Sequence, residues 1–124
     1  MSSLSTMDKL FYQRHAQACA SLANPTRLQI LDGLRDGEVS VSELAERVGI
    51  RLPTLSQHLA LMRRVGVVAN RREGTTIYYR IANLKVIRAY DLMTEVILEH
   101  EAAQRRSFAV VQKRIRSRKT SASR

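Results

Sequence analysis

The residues best suited to chemistry are few, since the 124-residue chain contains one cysteine and three histidines. His15 and Cys19 are four residues apart, a spacing that puts both on one side of a helix. Imidazole and thiolate groups bind zinc and related ions, and a thiol can also be oxidised or modified. Three interpretations stay open for this pair: a metal site, thiol modification of Cys19, or, as the default, ordinary packing residues without chemistry.

The run Ser56-Gln57-His58 resembles a nucleophile followed by its base. Neighbouring side chains on a helix diverge by about 100°, and no third group orients the histidine as a catalytic arrangement requires. We therefore predict that the chain is not an enzyme. We expect His58 at the border between the buried and the outward side of its helix, where it packs or forms hydrogen bonds.

The helix that carries this run, predicted from residue 53 to about 65, has two different sides. Leu55, Leu59 and Met62 fall together on one side and predict a buried face. The opposite side carries small or flat groups and forked donors, which suit base edges in a DNA major groove: Thr54, Gln57, Ala60, Leu61 and Arg64. A second short helix precedes it across a few residues around Gly49. This is a helix-turn-helix arrangement.

The start of this helix lacks a good cap. If Pro53 is its first residue, Arg51 and Leu52 occupy the capping positions, and neither caps well. A cation there also opposes the helix dipole, at a cost of about 0.3–1 kcal/mol. Two explanations stay open: a DNA phosphate supplies the missing negative charge, or Arg51 simply extends into solvent.

Three further helices precede the recognition helix. The first runs from Asp8 to about Leu22 and has one apolar stripe that needs a partner. Asn24-Pro25 begins the second, which ends before Gly37, and Ser40 with Glu43 predicts a capping box for the third, which closes at Gly49. The stripe of the first helix consists of Met7, Phe11, His15, Ala18 and Leu22. The inward residues of the second and third helices are predicted to be Leu28, Leu31, Leu34, Leu44, Ala45 and Val48.

After Gly66 the apolar pattern changes to alternation. Residues 67–72 and 76–81 predict paired strands joined by residues 73–75, with Ile77, Tyr79 and Ile81 on the inner face. Such a hairpin is a wing, with Arg71 and Arg72 near its tip to hold the DNA backbone or minor groove. From about Leu84 a long helix runs past residue 100 with more apolar surface than the short helices need, which favours a partner subunit.

The formal net charge of +10 is unevenly distributed. Residues 51–80 carry six basic side chains and one acidic side chain, and residues 105–124 carry eight basic and no acidic ones. A polyanion facing these two regions is the simplest partner. A single cysteine allows no internal disulfide, and we find no signal-like or membrane-spanning apolar run, so a cytoplasmic protein that does not bind membranes is expected.

Three regions are expected along the chain: a flexible N-terminus at 1–7, one DNA-binding and dimerisation domain at 8–103, and a basic extension at 104–124. Phe108, Val111 and Ile115 keep helical spacing in the extension, so the long helix continues or a short amphipathic helix forms. Residues 117–124 are predicted to be disordered.

Five stretches in this order resemble the ArsR/SmtB family of winged helix-turn-helix repressors: residues 22–31, 53–59, 65–68, 72–74 and 78–79. The resemblance covers roughly residues 8–103, and several motifs in order are far more specific than one. It implies a mainly α fold of five helices plus a two-stranded β-hairpin wing. It also implies a homodimer that releases its operator when an inducer binds.

The same resemblance implies sensing positions that this sequence does not fill. Two family cysteines correspond to Ser40 and Ser42, and hydroxyls do not replace thiolates for soft metals. The ligands of the other family site correspond to Leu84, Val86, Ile97 and His100, of which only the histidine matches. The remaining option is a zinc-type site in which His15 and Cys19 meet His100 of a second subunit.

We therefore predict a transcriptional repressor that binds an inverted-repeat double-stranded DNA operator as a homodimer and responds to an unidentified inducer, with no confident cofactor. The alternative is a protein-interaction module that keeps the fold and binds nucleic acid without specificity or an inducer response. The predicted DNA contacts are Arg51, Thr54, Ser56, Gln57, His58, Arg64, Arg71 and Arg72. The predicted dimer contacts are Phe11, Leu22, Tyr90 and Ile97.

Overall fold

The chain forms five helices and three short strands within residues 4–122, which a computed structural model describes, with side chains through residue 118. Helices α1 to α5 cover Thr6–Leu22, Pro25–Gly33, Val41–Val48, Leu52–Arg64 and Lys85–Ala122. Strands β1 to β3 cover Val39–Ser40, Val68–Glu73 and Thr76–Ile81. The predicted mainly helical fold with a β-hairpin is confirmed.

Short polar side chains begin the first three helices. Asn24 accepts from the backbone N–H groups of Thr26 and Arg27 at 2.9 and 3.2 Å, and Ser40 accepts from that of Glu43 at 3.2 Å. These bonds satisfy N–H groups that have no partner inside the helix. The predicted caps of α2 and α3 are thus in place.

The third helix has only half of its predicted capping box among the described contacts. The Glu43 carboxylate accepts from Arg47 Nη2 at 3.0 Å instead of returning to the Ser40 backbone. A glutamate four residues before an arginine is well placed for this ion pair. Arg47 Nη1 also donates to the Gly33 carbonyl at 2.9 Å, which ties α3 to the end of α2.

The first helix begins earlier than the sequence analysis predicts. Ser5 and Asp8 form a complete capping box, with Asp8 N to Ser5 Oγ and Ser5 N to Asp8 Oδ2 both at 3.1 Å. Residues 5–7, expected in a flexible segment, therefore belong to the start of α1. The Ser-x-x-Asp spacing was the available signal for this start.

The core lies between α2, α3, α4 and the sheet. Its largest fully buried side chains are Ile30, Leu31, Leu34, Leu44, Leu55, Leu59, Met62 and Val68. Leu28, predicted to point inward, is only partly buried, while Ile30 is fully buried. Burial of one such aliphatic side chain contributes about 1.5–3 kcal/mol, so this cluster holds the recognition helix in place.

The sheet has three antiparallel strands in the order β1-β3-β2. The predicted hairpin is confirmed, with Glu73 opposite Thr76 and Val68 opposite Ile81. The third strand was not predicted: Val39 pairs with Tyr79, and Ser40 with Tyr78. Two residues directly before a helix cap are too short to show the alternation of a strand.

Helix α5 continues through residues 104–122, so of the two alternatives for the basic extension the longer helix is the one observed. Residues 117–122, which were predicted to be disordered, are part of this helix. Residues 123–124 lie outside the described residues.

The chain forms two compact units, the first ending at Ile87 and the second beginning at Arg88. No helix among residues 4–122 is long and apolar enough to cross a membrane.

Candidate nucleic-acid interface

Helix α4 separates a buried face from a polar, exposed one. Leu55, Leu59 and Met62 are each 0% exposed, as predicted. The exposed side chains include Thr54, Ser56, Gln57, Ala60 and Arg64, whereas Leu61 is partly buried. The buried face fixes the rotation of the helix about its axis, so the polar side chains are presented outward as a set.

The turn between α3 and α4 is tight. α3 ends at Gly49, which has a left-handed backbone (φ +75°) and donates to the Ala45 carbonyl at 2.8 Å. A left-handed residue ends a helix most easily when it is glycine, because a side chain there is strained. The predicted helix-turn-helix arrangement is therefore built as expected.

The N-terminus of α4 has no side-chain cap. Arg51 occupies the capping position with an extended backbone and no side-chain cap hydrogen bond, and Pro53 lies in the first turn. The free backbone N–H groups and the helix dipole make this end attractive to an anion. Since α1, α2 and α3 all begin with a side-chain cap, the missing cap distinguishes the recognition helix.

The wing is a hairpin closed by a two-residue turn at Gly74-Thr75. Gly74 has φ +61°, a left-handed conformation that favours glycine. Tyr79 and Ile81 are each 8% exposed and Ile77 is partly buried, which matches the predicted inner face. Arg72, opposite Ile77, lies one pair before the closing Glu73–Thr76 pair, and Arg71, opposite Tyr78, lies two pairs before it.

Arg71 is engaged within the chain. Its guanidinium donates to both Glu38 oxygens at 2.7–2.9 Å and to Glu73 Oε2 at 2.7 Å, and it lies 4.5 Å from the centre of the Tyr78 ring. The hydrogen bonds from Arg71 hold the pKa of Glu38 below its ordinary value, and those to Glu38 and Glu73 raise the pKa of Arg71. The role of Arg71 in DNA binding stays a prediction, and it would require exchange of these partners.

Arg72 differs from its neighbour, because its side chain is exposed and forms no hydrogen bond or ion pair in the described part of the chain. Sequence reasoning could not separate the two arginines, since the partner Glu38 is 33 residues from Arg71. Of these two arginines, Arg72 is therefore the one that can meet a phosphate without breaking an internal bond.

His58 is partly buried on α4, and its Nδ1 atom accepts from Arg27 Nε at 3.3 Å. The sequence analysis expected a packing or hydrogen-bonding residue at the border of the two faces, and this position fits that expectation. Its partner Arg27, from α2, was not singled out, because the two residues are 31 positions apart.

The candidate sensing residues are exposed. His15 and Cys19 lie on α1, and His100 lies on α5. Within the described residues, no group of three or more His, Cys, Asp or Glu side chains is arranged to hold a metal ion. Exposure of Cys19 in the chain disagrees with the default interpretation of a small core residue.

The positions corresponding to the family's metal ligands do not fit a metal. The Ser40 hydroxyl caps α3, Val86 packs against the core and Leu84 is exposed. Serine hydroxyls and aliphatic side chains do not ligate soft metals. These positions therefore do not provide either of the family's metal sites, and the site formed by His15, Cys19 and the partner's His100 stays a prediction.

The predicted dimer contacts fall on α1 and α5. Phe11 is 62% and Ile97 50% exposed, while Tyr90 is partly exposed and Leu22 packs against the core. Other large apolar side chains on the same two helices are also exposed: Met7, Tyr12, Leu92, Met93, Val96 and Leu98. Apolar surface on this scale is typical of a covered interface.

A helix-turn-helix with a polar outward recognition face, followed by a β-hairpin wing, defines the winged helix DNA-binding class. A family model described as a helix-turn-helix domain matches residues 22–71. The transcriptional regulator KmtR of Mycobacterium tuberculosis is 55% identical over 62 residues, which cover 50% of this chain and 48% of KmtR. The chain thus spans about half the length of that relative.

Two further proteins are similar over more of the chain. The biofilm growth-associated repressor of Agrobacterium fabrum is 41% identical over 81 residues, covering 65% of this chain and 69% of the repressor. A homodimeric winged helix-turn-helix DNA-binding domain from Mycobacterium bovis, described as a possible ArsR-family regulator, has a TM-score of 0.72 and 40% identity, covering 81% of this chain and 93% of that domain. The chain belongs to the ArsR/SmtB family of winged helix-turn-helix transcriptional regulators.

Proposed function

We propose that this protein is a homodimeric repressor that binds an inverted-repeat DNA operator and leaves it when an inducer binds. The observation that carries the proposal is the recognition helix α4, which has a fully buried apolar face, an exposed polar face and an uncapped N-terminus. A structural helix gains from a cap, whereas a helix that receives a phosphate does not need one.

The contacts divide into those that read bases and those that hold the backbone. Gln57 is the best candidate for a base contact, because a carboxamide can pair with adenine through two hydrogen bonds. Thr54, Ser56 and Arg64 reach bases or phosphates on the same face. A phosphate at the N-terminus of α4 takes the place of the missing cap beside Arg51.

The wing supplies flanking contacts. The Arg72 side chain is exposed and has no partner among the described residues, so it meets the backbone or minor groove directly. Arg71 takes part only if a phosphate replaces Glu38 and Glu73. We therefore assign the larger share of the wing's affinity to Arg72.

A dimer follows from the exposed apolar side chains of α1 and α5. An isologous pair of subunits reads two half-sites, so an inverted repeat is the matching operator. The similar Mycobacterium bovis domain is itself described as homodimeric, and the Agrobacterium relative is named a repressor.

The test is operator selection from random duplexes, followed by footprinting and a salt titration of the selected site. The proposal requires a discrete footprint with two-fold sequence symmetry and an affinity that falls steeply with salt. Binding with the same salt slope but no sequence preference would instead favour the interaction module with non-specific nucleic-acid binding. A transcriptional reporter bearing the selected site then tests whether the protein represses or activates. We expect reporter expression to rise when the protein is removed.

A further inference from the structure

The side chain of Arg27 joins three helices of the DNA-binding unit. From its place in the first turn of α2, Nη1 donates to the Ser21 carbonyl of α1 at 2.7 Å and, more weakly, to the Ala20 carbonyl at 3.4 Å. Its Nε donates to Nδ1 of His58 on α4 at 3.3 Å. One guanidinium therefore connects the C-terminus of α1 with the recognition helix.

The contact with α1 has a clear physical reason. The last carbonyls of a helix lack intrahelical partners and form the negative end of its dipole. The last turn of α1 contains no basic residue, so Arg27 supplies from α2 the cation that α1 does not provide. Ser21, whose carbonyl receives the shorter bond, is 3% exposed, which shields this contact from water.

The contact with His58 has a consequence for DNA binding. When Nδ1 of a neutral imidazole accepts a hydrogen bond, its proton resides on Nε2, and the ring orientation is fixed. His58 follows Gln57 and precedes Leu59, which is fully buried. The buried face sets the rotation of α4, and a fixed imidazole at its border leaves Nε2–H as the only donor of the ring.

We propose that Arg27 is a positioning residue of the DNA-binding site, acting through His58. It fixes the tautomer and orientation of His58 and couples the recognition helix to α1. The inference rests on the proposed function, in which α4 binds the operator and α1 contributes to the dimer. It assigns to Arg27 a side-chain link between those two helices, in addition to their direct packing.

The first test replaces Arg27 by lysine, which keeps the positive charge but loses the fork that reaches α1 and His58 together. Long-range ¹H–¹⁵N NMR spectra report the tautomer of each imidazole. With three histidines in the chain, the His58 signals are those missing from a His58→Gln variant. We expect the Nε2–H tautomer in the wild type and a mixture of tautomers in Arg27→Lys.

Operator affinity is measured on the same variants. Arg27→Lys is expected to weaken operator binding by about fivefold, which corresponds to the loss of one hydrogen bond. The control is Arg35→Lys, which also conserves charge but changes an exposed ion pair with Asp32. This control should leave both the operator affinity and the His58 signals unchanged. Since Arg27 acts through His58, the double variant Arg27→Lys/His58→Gln should bind no more weakly than the weaker single variant.

Two results would overturn the inference: a wild-type His58 protonated on Nδ1 when neutral, or fully additive losses in the double variant. The tautomer is read without DNA, so a wild-type His58 protonated on Nδ1 would overturn the inference even if the variants fold poorly. It also separates this inference from the proposed function, since a protein that selects no operator still has a measurable His58 tautomer.

Discussion

Gln57 is expected to contact bases and Arg72 the DNA backbone, so substituting the two residues should affect DNA affinity differently. Gln57→Ala should cost about 1–3 kcal/mol on the selected operator and little on random DNA. Arg72→Ala should weaken binding to all duplexes and lower the magnitude of the salt slope by about one. Fluorescence anisotropy on both duplexes across a salt series measures the two effects. Equal losses of Gln57→Ala on both duplexes would remove this residue from the base contacts.

The Glu38–Arg71 ion pair predicts a pH dependence of stability. Because Arg71 lowers the pKa of Glu38 in the folded protein, the pair stabilises the fold above the unfolded-state pKa, and this contribution is lost as the pH falls through the lowered value. Glu38→Gln should therefore melt below the wild type near neutral pH, and the gap should close in acid. Glu46→Gln is the control, because the Glu46 side chain is exposed and has no hydrogen-bond or ion-pair partner within the described residues. A gap that stays constant with pH would contradict the prediction.

The missing cap of α4 predicts that stability and DNA binding respond in opposite directions. Arg51→Asp introduces a good cap and a favourable charge at the helix N-terminus, so the free energy of unfolding should rise by about 0.5–2 kcal/mol. The same carboxylate occupies the site of the proposed phosphate and repels it, so operator affinity should fall. Ser40→Asp exchanges one good cap for another on α3 and should change neither strongly. Melting curves measure the change in stability, and binding isotherms measure operator affinity. An Arg51→Asp variant that binds the operator as tightly as the wild type would show that no phosphate binds at this helix end.

Local signals predicted most helix ends and the recognition face. Asn24, Ser40, Gly49 and Gly66 each act through neighbours within a few residues, so their roles can be derived from the sequence. The buried face of α4 was predictable for the same reason, because the 3.6-residue period determines which side chains share a face.

Contacts between distant residues could not be derived in this way. Arg71 meets Glu38 across 33 positions, and Arg27 meets His58 across 31. Strand β1 has only two residues and depends on β3 for its existence. In each case the tertiary fold brings the partners together, and the spacing of residues along the chain does not predict such contacts.

At the scale of the whole molecule, the exposed apolar side chains of α1 and α5 predict the oligomeric state. Ile97→Asp or Tyr90→Asp should put a charge into the subunit interface and give monomers that bind DNA poorly. Ile115→Asp is a matched control, since Ile97 and Ile115 are 50% and 48% exposed on the same helix, but Ile115 lies beyond the predicted dimerisation domain. Sedimentation equilibrium measures the result. Intact dimers in both interface variants would place the interface elsewhere.

Inducer sensing also belongs to the whole molecule, because it must alter the spacing of two recognition helices. If Cys19 responds, metal binding with His15 and the partner's His100, or oxidation of the thiol, would disturb the packing of α1 in the dimer. Operator release by zinc, arsenite and a thiol oxidant should be compared in wild type, Cys19→Ser and His100→Ala. Release by zinc that needs both residues indicates a metal site, and release by oxidant that needs only Cys19 indicates thiol sensing. If Cys19→Ser responds as the wild type does, the inducer acts elsewhere.

Ser40 has two structural roles. Its hydroxyl caps α3, while its backbone lies in β1, opposite Tyr78 of the wing. Any fluctuation that peels β3 away from β1 therefore also loosens the start of the helix that precedes the recognition helix. Local openings of a protein usually follow such shared elements. We therefore expect the wing and the helix-turn-helix to open as one cooperative unit, so that the two surfaces proposed to bind DNA are gained or lost together.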